Sequence, residues 1–271
     1  MALNVRWSRW IFGALGALFA YVAYVYLTLP DVRVLATTNP ETTAFIELRR
    51  DEAHDAGKSF SLRRRWVPYN RISSHLKRAV IVAEDSAFFE HEGLDYGQIK
   101  ESLEASLEEG GPVRGASTIT QQLAKNLYLS PSRNPVRKLR ELIITRRLET
   151  ALSKRRIFEI YLNSIEWGDG IFGCEAAARA YFGKSAADLG PSEAALMAGA
   201  IINPRVHSPA KPTRRLLRRQ QIILRRMGGV EPPADAPAAT PDRPPDAAPE
   251  RPVDGAPERS PVSSPGGPPP S

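Results

Sequence analysis

The chain has 271 residues, 42% hydrophobic and 25% charged, enough for one globular domain of ordinary size with extensions. A single cysteine, Cys174, excludes an internal disulfide framework, and four scattered histidines offer no metal-ligand spacing. The net charge is +7, but residues 231–271 hold seven acids against three arginines, so residues 1–230 carry +11 and suit an anionic partner: nucleic acid, a phosphorylated substrate or an anionic membrane surface.

Residues 11–29, IFGALGALFAYVAYVYLTL, carry no charge. At helical rise this length nearly matches a bilayer core of ~30 Å. Arg6 and Arg9 precede it, and Trp7, Trp10, Tyr24 and Tyr26 suit its interfacial zones. The spacing predicts one transmembrane helix, with residues 1–10 in the cytoplasm and everything after Pro30 outside. A cleaved signal peptide would have a shorter apolar stretch and a small-x-small site. Here the segment ends in Tyr-Leu-Thr-Leu-Pro, so a retained anchor is expected. Further on, Thr42–Leu48 reads as a short strand. Arg63–Arg65 with Trp66 read as a solvated basic face with one buried ring.

From Arg71 to Ala83 the apolar spacing Ile72, Leu76, Ala79, Val80, Ala83 is helical. It runs into AVIVAEDSAFFEHEG at 79–93, which places Glu84 at or just past a helix end. A carboxylate there is costly to bury, so it shifts its pKa or finds partners, and that is how a fold makes a general acid or base. The same pattern also fits a surface acid after a buried helix. Ser74-x-x-Lys77 matches the serine-x-x-lysine of penicillin-binding transpeptidases, but no Lys-Thr-Gly follows.

Asp95 can cap a helix that ends at Gly110-Gly111. In GASTITQQLAKN, residues 115–126, Ser117 is the expected N-cap of a helix to Leu129. Ile119, Leu123 and Leu127 make its apolar stripe, with Thr118, Gln121, Gln122 and Lys125 opposite. Such a face suits a polar anionic ligand, or simply solvent. Asn134 and Pro135 start the next helix, in which Arg137 and Lys138 lie one turn before Glu141. A salt-bridge ladder is the plain alternative there. Between Arg133 and Arg156 nine basic residues face two acids, so nucleic-acid binding is a rival. Against it, no helix-turn-helix or zinc motif appears, and the domain is expected outside the cell.

Four blocks now stand in order: E-D-x-x-F-x-x-H-x-G at 84–93, G-x-S-T-I-T-Q-Q-x-x-K-N at 115–126, R-K-x-x-E at 137–141, and KRRIFEIYLN at 154–163. Over residues 35–228 the chain closely resembles the monofunctional biosynthetic peptidoglycan glycosyltransferases of glycosyltransferase family 51. Phe158 replaces the more usual Leu, and Ile201-Ile202 stands where Leu-Pro is frequent. The resemblance implies a mainly α, lysozyme-like bilobal fold with a membrane-embedded smaller lobe. It implies lipid II as substrate, a β-1,4 glycan strand as product and undecaprenyl diphosphate as leaving group. Glu84 is then the base for the acceptor 4-hydroxyl. Lys125 and Arg133 are the cations for the diphosphate, with Arg137 and Lys138 nearby. Glu141 is the second acid, and Thr118, Gln122 and Asn126 would hold the donor. No cofactor is required, although a divalent metal (Mg or Mn) could bridge the diphosphate near Asp85. Membrane lipids and cell-wall synthesis or division proteins are the implied partners, with no nucleic acid. The implied location is the inner (cytoplasmic) membrane, single-pass, with the catalytic domain on the periplasmic side. A lytic muramidase and a non-catalytic membrane-anchored scaffold are the alternatives.

The fifth block, Glu166–Gly173, has glycines that mimic a dinucleotide fingerprint, but a helix precedes it instead of a strand. It reads as a turn feeding a helix over 175–181. Gly183-Lys184-Ser185 lacks the first glycine of a phosphate loop. Ser192-Glu193 begin a small-residue helix, and Arg214–Met227 a basic one. The organisation expected is a cytoplasmic N-terminus (1–10), a transmembrane helix (11–29), a glycosyltransferase domain (30–230) and a disordered Pro-rich tail (231–271).

Overall fold

The computed structural model describes residues 2–110, 117–132 and 134–229. Arg133, the start of the second block and the Pro-rich tail lie outside these described residues. The described chain is mainly helical, as expected, and is consistent with the lysozyme-like fold that the resemblance implies. The first helix, α1 (Ala2–Leu27), contains an apolar stretch, Trp10–Leu27, long enough to cross a membrane. Where side chains of that stretch are described they are largely exposed, Trp10, Phe12 and Phe19 among them. A helix apolar all round and unburied by protein is the pattern of a lipid-facing span.

Residues 44–48 are not a strand. They open α2 (Ala44–Asp55), because the Thr43 hydroxyl accepts a hydrogen bond from the Ile46 amide at 3.1 Å and so caps the helix. Arg63–Arg64 form the short strand β1, and Trp66 is half-buried, its ring 6.0 and 5.5 Å from the guanidinium groups of Arg64 and Arg156. β1 pairs in parallel with β3 (Ile171–Phe172), which pairs antiparallel with β2 (Glu166–Gly168). The β2–β3 turn needs Gly170: its φ is +66°, and a Cβ there would lie 2.5 Å from the Ser61 carbonyl oxygen. The glycines of the fifth block thus serve a hairpin, not a nucleotide.

Two helix groups build the core. α3 (Ser74–Glu84) packs against α9 (Pro191–Ala200) and α10 (Arg214–Arg226). α5 (Ile119–Tyr128) packs against α2, α6 (Pro135–Ala151) and α7 (Lys154–Ser164). Ile119, Leu123 and Leu127 are buried, so the apolar stripe read from the sequence faces inward. The cap expectations for α4 (Tyr96–Glu109) and α6 also hold. Asp95 accepts from the Gln98 amide, Gly110 closes α4 with φ +65°, and Asn134 caps α6 with Pro135 in its first turn.

Phe88 of the first block is fully buried against Phe158 of α7, ring centroids 5.5 Å apart, and Phe158 stacks on Tyr161 at 6.4 Å. Each such ring contributes roughly 1.5–3 kcal/mol by burial. The cluster ties the loop after α3 to α7, which explains how Phe is accommodated at position 158. α8 (Cys174–Phe182) carries the buried Cys174, whose thiol is pushed up to about 12 by burial and is therefore inert as a nucleophile. Lys184 pairs with Glu193 at 2.7 Å, so the glycine-lysine-serine stretch binds its own chain.

Candidate active site

The end of α3 meets the start of α5 through one side chain. Asp85, the C-cap of α3, is almost wholly buried, and its Oδ2 accepts the Ile119 amide at 2.9 Å. A carboxylate at a helix N-terminus satisfies an orphan donor and the helix dipole together. On its other side Asp85 meets His91 Nε2 at 3.0 Å. The Gly93 amide donates to His91 Nδ1, so the ring proton sits on Nε2 and points at Asp85. The first and second blocks are thereby locked in register.

The cap of α5 is Thr118, not Ser117. Thr118 accepts from the Gln121 amide, the Gln121 side chain accepts from the Thr118 amide, and the Thr118 hydroxyl donates to the Gly93 carbonyl at 2.7 Å. Both residues are buried, so Thr118 and Gln121 do not stand on a polar face with Gln122 and Lys125. The Thr118 hydroxyl and the Gln121 side-chain oxygen are engaged in the capping box. In this structure the Thr118 hydroxyl is engaged within the chain, with Gln121 and Gly93.

One turn further along, Gln122 reaches Glu84. Its Nε2 donates to Glu84 Oε2 at 3.0 Å, while its Oε1 accepts from the Tyr161 hydroxyl at 2.9 Å. Gln122 therefore orients the acid instead of presenting a free amide. Asn126 donates from Nδ2 to the Gln122 carbonyl at 2.8 Å. Glu84 is the last residue of α3, with its side chain 11% exposed. Burial raises its pKa above the ordinary carboxylate value, and the neighbouring Asp85 charge adds to this. The Gln122 hydrogen bond and the charges of Arg219 and Lys125 oppose the rise. Arg219 of α10 lies 3.4 Å from Glu84 Oε1.

Lys125 lies one turn beyond Gln121 on α5, in electrostatic reach of both Glu84 and Glu141. Burial lowers its pKa, the Glu141 charge raises it, and Arg137 and Lys138 lower it. It has no ion-pair partner within bonding distance among the described residues. Glu141 is buried on α6, and each of its oxygens takes one cation: Oε2 the Arg137 guanidinium and Oε1 the Lys138 ammonium. The ladder seen in the sequence is thus real, but its acid is inaccessible and its cations gather beside Lys125. Arg133 lies outside the described residues.

Two contributors were missed in the sequence. Tyr161 was visible only as a letter of the fourth block. Arg219 carried a signal: it falls three residues after Leu216 and four before Ile223, on the buried stripe of α10, where an arginine needs a partner.

Asp85, His91 and Asp95 bring three ligand atoms, two carboxylate and one imidazole, within 4.8 Å of one another. Their donor atoms are already engaged: Asp85 with Ile119 and His91, His91 with Gly93, and Asp95 with the Gln98 amide. Bonded in this way, the set fits a structural tie between the two blocks better than a resident metal.

The sequence profile of the family described as Transglycosylase matches residues 52–228. A relative from Dechloromonas aromatica named biosynthetic peptidoglycan transglycosylase is 45% identical over 237 residues, covering 88% of this chain and all of the relative. Relatives of the same name from Azoarcus sp. and Aromatoleum aromaticum are 51% and 55% identical, over 73% and 62% of this chain and 86% and 73% of their own lengths. With this match, these relatives and the four sequence blocks meeting around one largely buried acid, the chain belongs to the transglycosylase family.

Proposed function

We propose that the chain is a peptidoglycan glycosyltransferase that polymerises lipid II into β-1,4 glycan strands in cell-wall biosynthesis. The observation that carries this reading is a largely buried carboxylate, Glu84, in electrostatic reach of Lys125, which in turn lies in reach of Arg137 and Lys138. The acceptor 4-hydroxyl attacks the donor anomeric carbon as Glu84 takes its proton. The bond to the diphosphate breaks with its electron pair, and the leaving group carries the new negative charge onto the cations. Attack from the face opposite the diphosphate inverts the centre from α to β. Gln122, held by Tyr161, keeps the Glu84 carboxylate aimed. Glu141 keeps Arg137 and Lys138 in place beside Lys125.

The cations also favour this reading over a lytic muramidase, which has no anionic leaving group to stabilise. No resident metal is needed for the charge. A magnesium or manganese ion would arrive with the diphosphate, outside the Asp85 cluster. The apolar α1 supports an inner-membrane, single-pass location with the domain on the periplasmic side. Glycan polymer formed from labelled lipid II tests the reading. Release of sugar fragments from finished peptidoglycan, without polymer growth, would overturn it.

A further inference from the structure

A cavity of ≈ 820 Å³ lies where α1 leaves its apolar stretch and meets α6. That size suits a headgroup with the start of an acyl chain. Leu29, Val32, Ile143 and Ala151 supply apolar lining, and Arg33, Arg146 and Arg147 supply charge. The one carboxylate in the lining, Asp31, is bonded to Arg33, and Glu92 pairs with Arg146 from outside it.

Arg147 forms no close ion pair among the described residues, although Asp31 lies in its electrostatic reach. It donates to the Tyr26 and Pro30 carbonyls at 3.2 and 3.5 Å, with its guanidinium 4.4 Å from the Tyr26 ring. Two turns earlier Arg140 donates to the Thr28 hydroxyl at 3.2 Å, and its Nε is buried without a hydrogen-bond partner. Both arginines thus reach the last turn of the span, the depth at which headgroup phosphates sit. Capping the carbonyls of α1 accounts for part of this arrangement. It leaves most of the five donors of each guanidinium unspent. Glu84, Lys125 and Glu141 do not line the cavity, so it is separate from the reaction site.

We propose that this cavity binds an anionic phospholipid, its phosphate on Arg146 and Arg147 and its acyl chain against Leu29, Val32 and Ile143. The inference rests on α1 spanning the membrane. A bound lipid would then set the depth and tilt of the catalytic domain at the surface from which substrate arrives.

The full chain in phosphatidylcholine nanodiscs, doped with photoactivatable phosphatidylglycerol, tests it by mapping cross-links. Labelling is expected both within Trp10–Leu27 and within residues 143–151. Photoactivatable phosphatidylcholine should label the first segment alone. The double variant Arg146→Gln, Arg147→Gln should cut labelling of 143–151 by at least about 5-fold, the factor that ~1 kcal/mol for one basic side chain at an anionic surface gives. Ala36→Phe, which narrows the cavity with every arginine intact, should do the same and guards against a misfolded double variant. Labelling of 143–151 by both lipids equally, insensitivity to both variants, or displacement of the probe by lipid II would each overturn the site. Labelling of the anchor without 143–151 would refute the site alone. Absence of label from Trp10–Leu27 would refute the membrane span, and the site with it.

Discussion

Replacing Gln122 with leucine should raise the pH below which polymerisation fails. Glu84 must be ionised to accept a proton, so the rate is present above its pKa and lost as pH falls through it. Burial already lifts that pKa above the ordinary 4.5. The Gln122 bond at 3.0 Å favours the charged form, and removing it lifts the value further. A hydrogen bond to a charged acceptor is worth about 1.5–3 kcal/mol against about 0.5–1.5 for one to the neutral acid, so the protonation equilibrium should shift by roughly 5–13-fold and the acid limb should move to higher pH. The variant also leaves the buried Tyr161 hydroxyl without its acceptor, which costs roughly 1–3 kcal/mol of stability. Tyr161→Phe separates the two effects: it removes the hydroxyl, keeps the bond from Gln122 to Glu84, and should shift the limb less. The assay is the initial rate of polymer formation from labelled lipid II across pH, taken as kcat/KM. A folded Gln122→Leu protein with an unmoved acid limb would refute the assignment of Gln122 as the residue that aims and ionises Glu84.

Asp85→Ala should act on folding before chemistry. It strips acceptors from the Ile119 amide and His91 Nε2, at roughly 1–3 kcal/mol for each group left buried and unpaired, read as a lowered urea midpoint. Unchanged stability would mean that Asp85 does not join α3 to α5. Chelation of divalent cations should leave most polymerisation intact, because Lys125, Arg137 and Lys138 supply positive charge to the leaving group. Complete loss on chelation, restored by magnesium or manganese, would show that a metal carries that charge. Protease added outside spheroplasts should digest the domain after Pro30. Protection until lysis would place it in the cytoplasm.

Much of the fold was legible because short-range rules dominate it. Asp95, Asn134 and Pro135 announced helix starts, and the stripe Ile119, Leu123, Leu127 announced the buried face of α5. Thr42–Leu48 was misread because β-branched residues before a helix look like a strand until Thr43 is seen to cap Ile46. The site was legible in its acids and cations but not in its bonding. Helical spacing puts Thr118, Gln121, Gln122 and Lys125 on one face. It does not reveal that Gly93, 25 residues away, takes the Thr118 hydroxyl, or that Tyr161, 39 residues away, takes Gln122. Such partners belong to tertiary packing, which periodicity does not encode. Arg219 is the intermediate case: its inward position on α10 was readable, its partner Glu84 was not.

Glu84→Gln is the most direct measurement of the account. The amide keeps the size of the side chain and one acceptor oxygen, for either the Gln122 amide or the Arg219 guanidinium, but removes the base. General-base catalysis supplies about 10²–10⁴-fold, so polymer formation from labelled lipid II should fall by that order while lipid II binding persists. Near-normal polymerisation by a folded Glu84→Gln protein would contradict the assignment of Glu84 as the base.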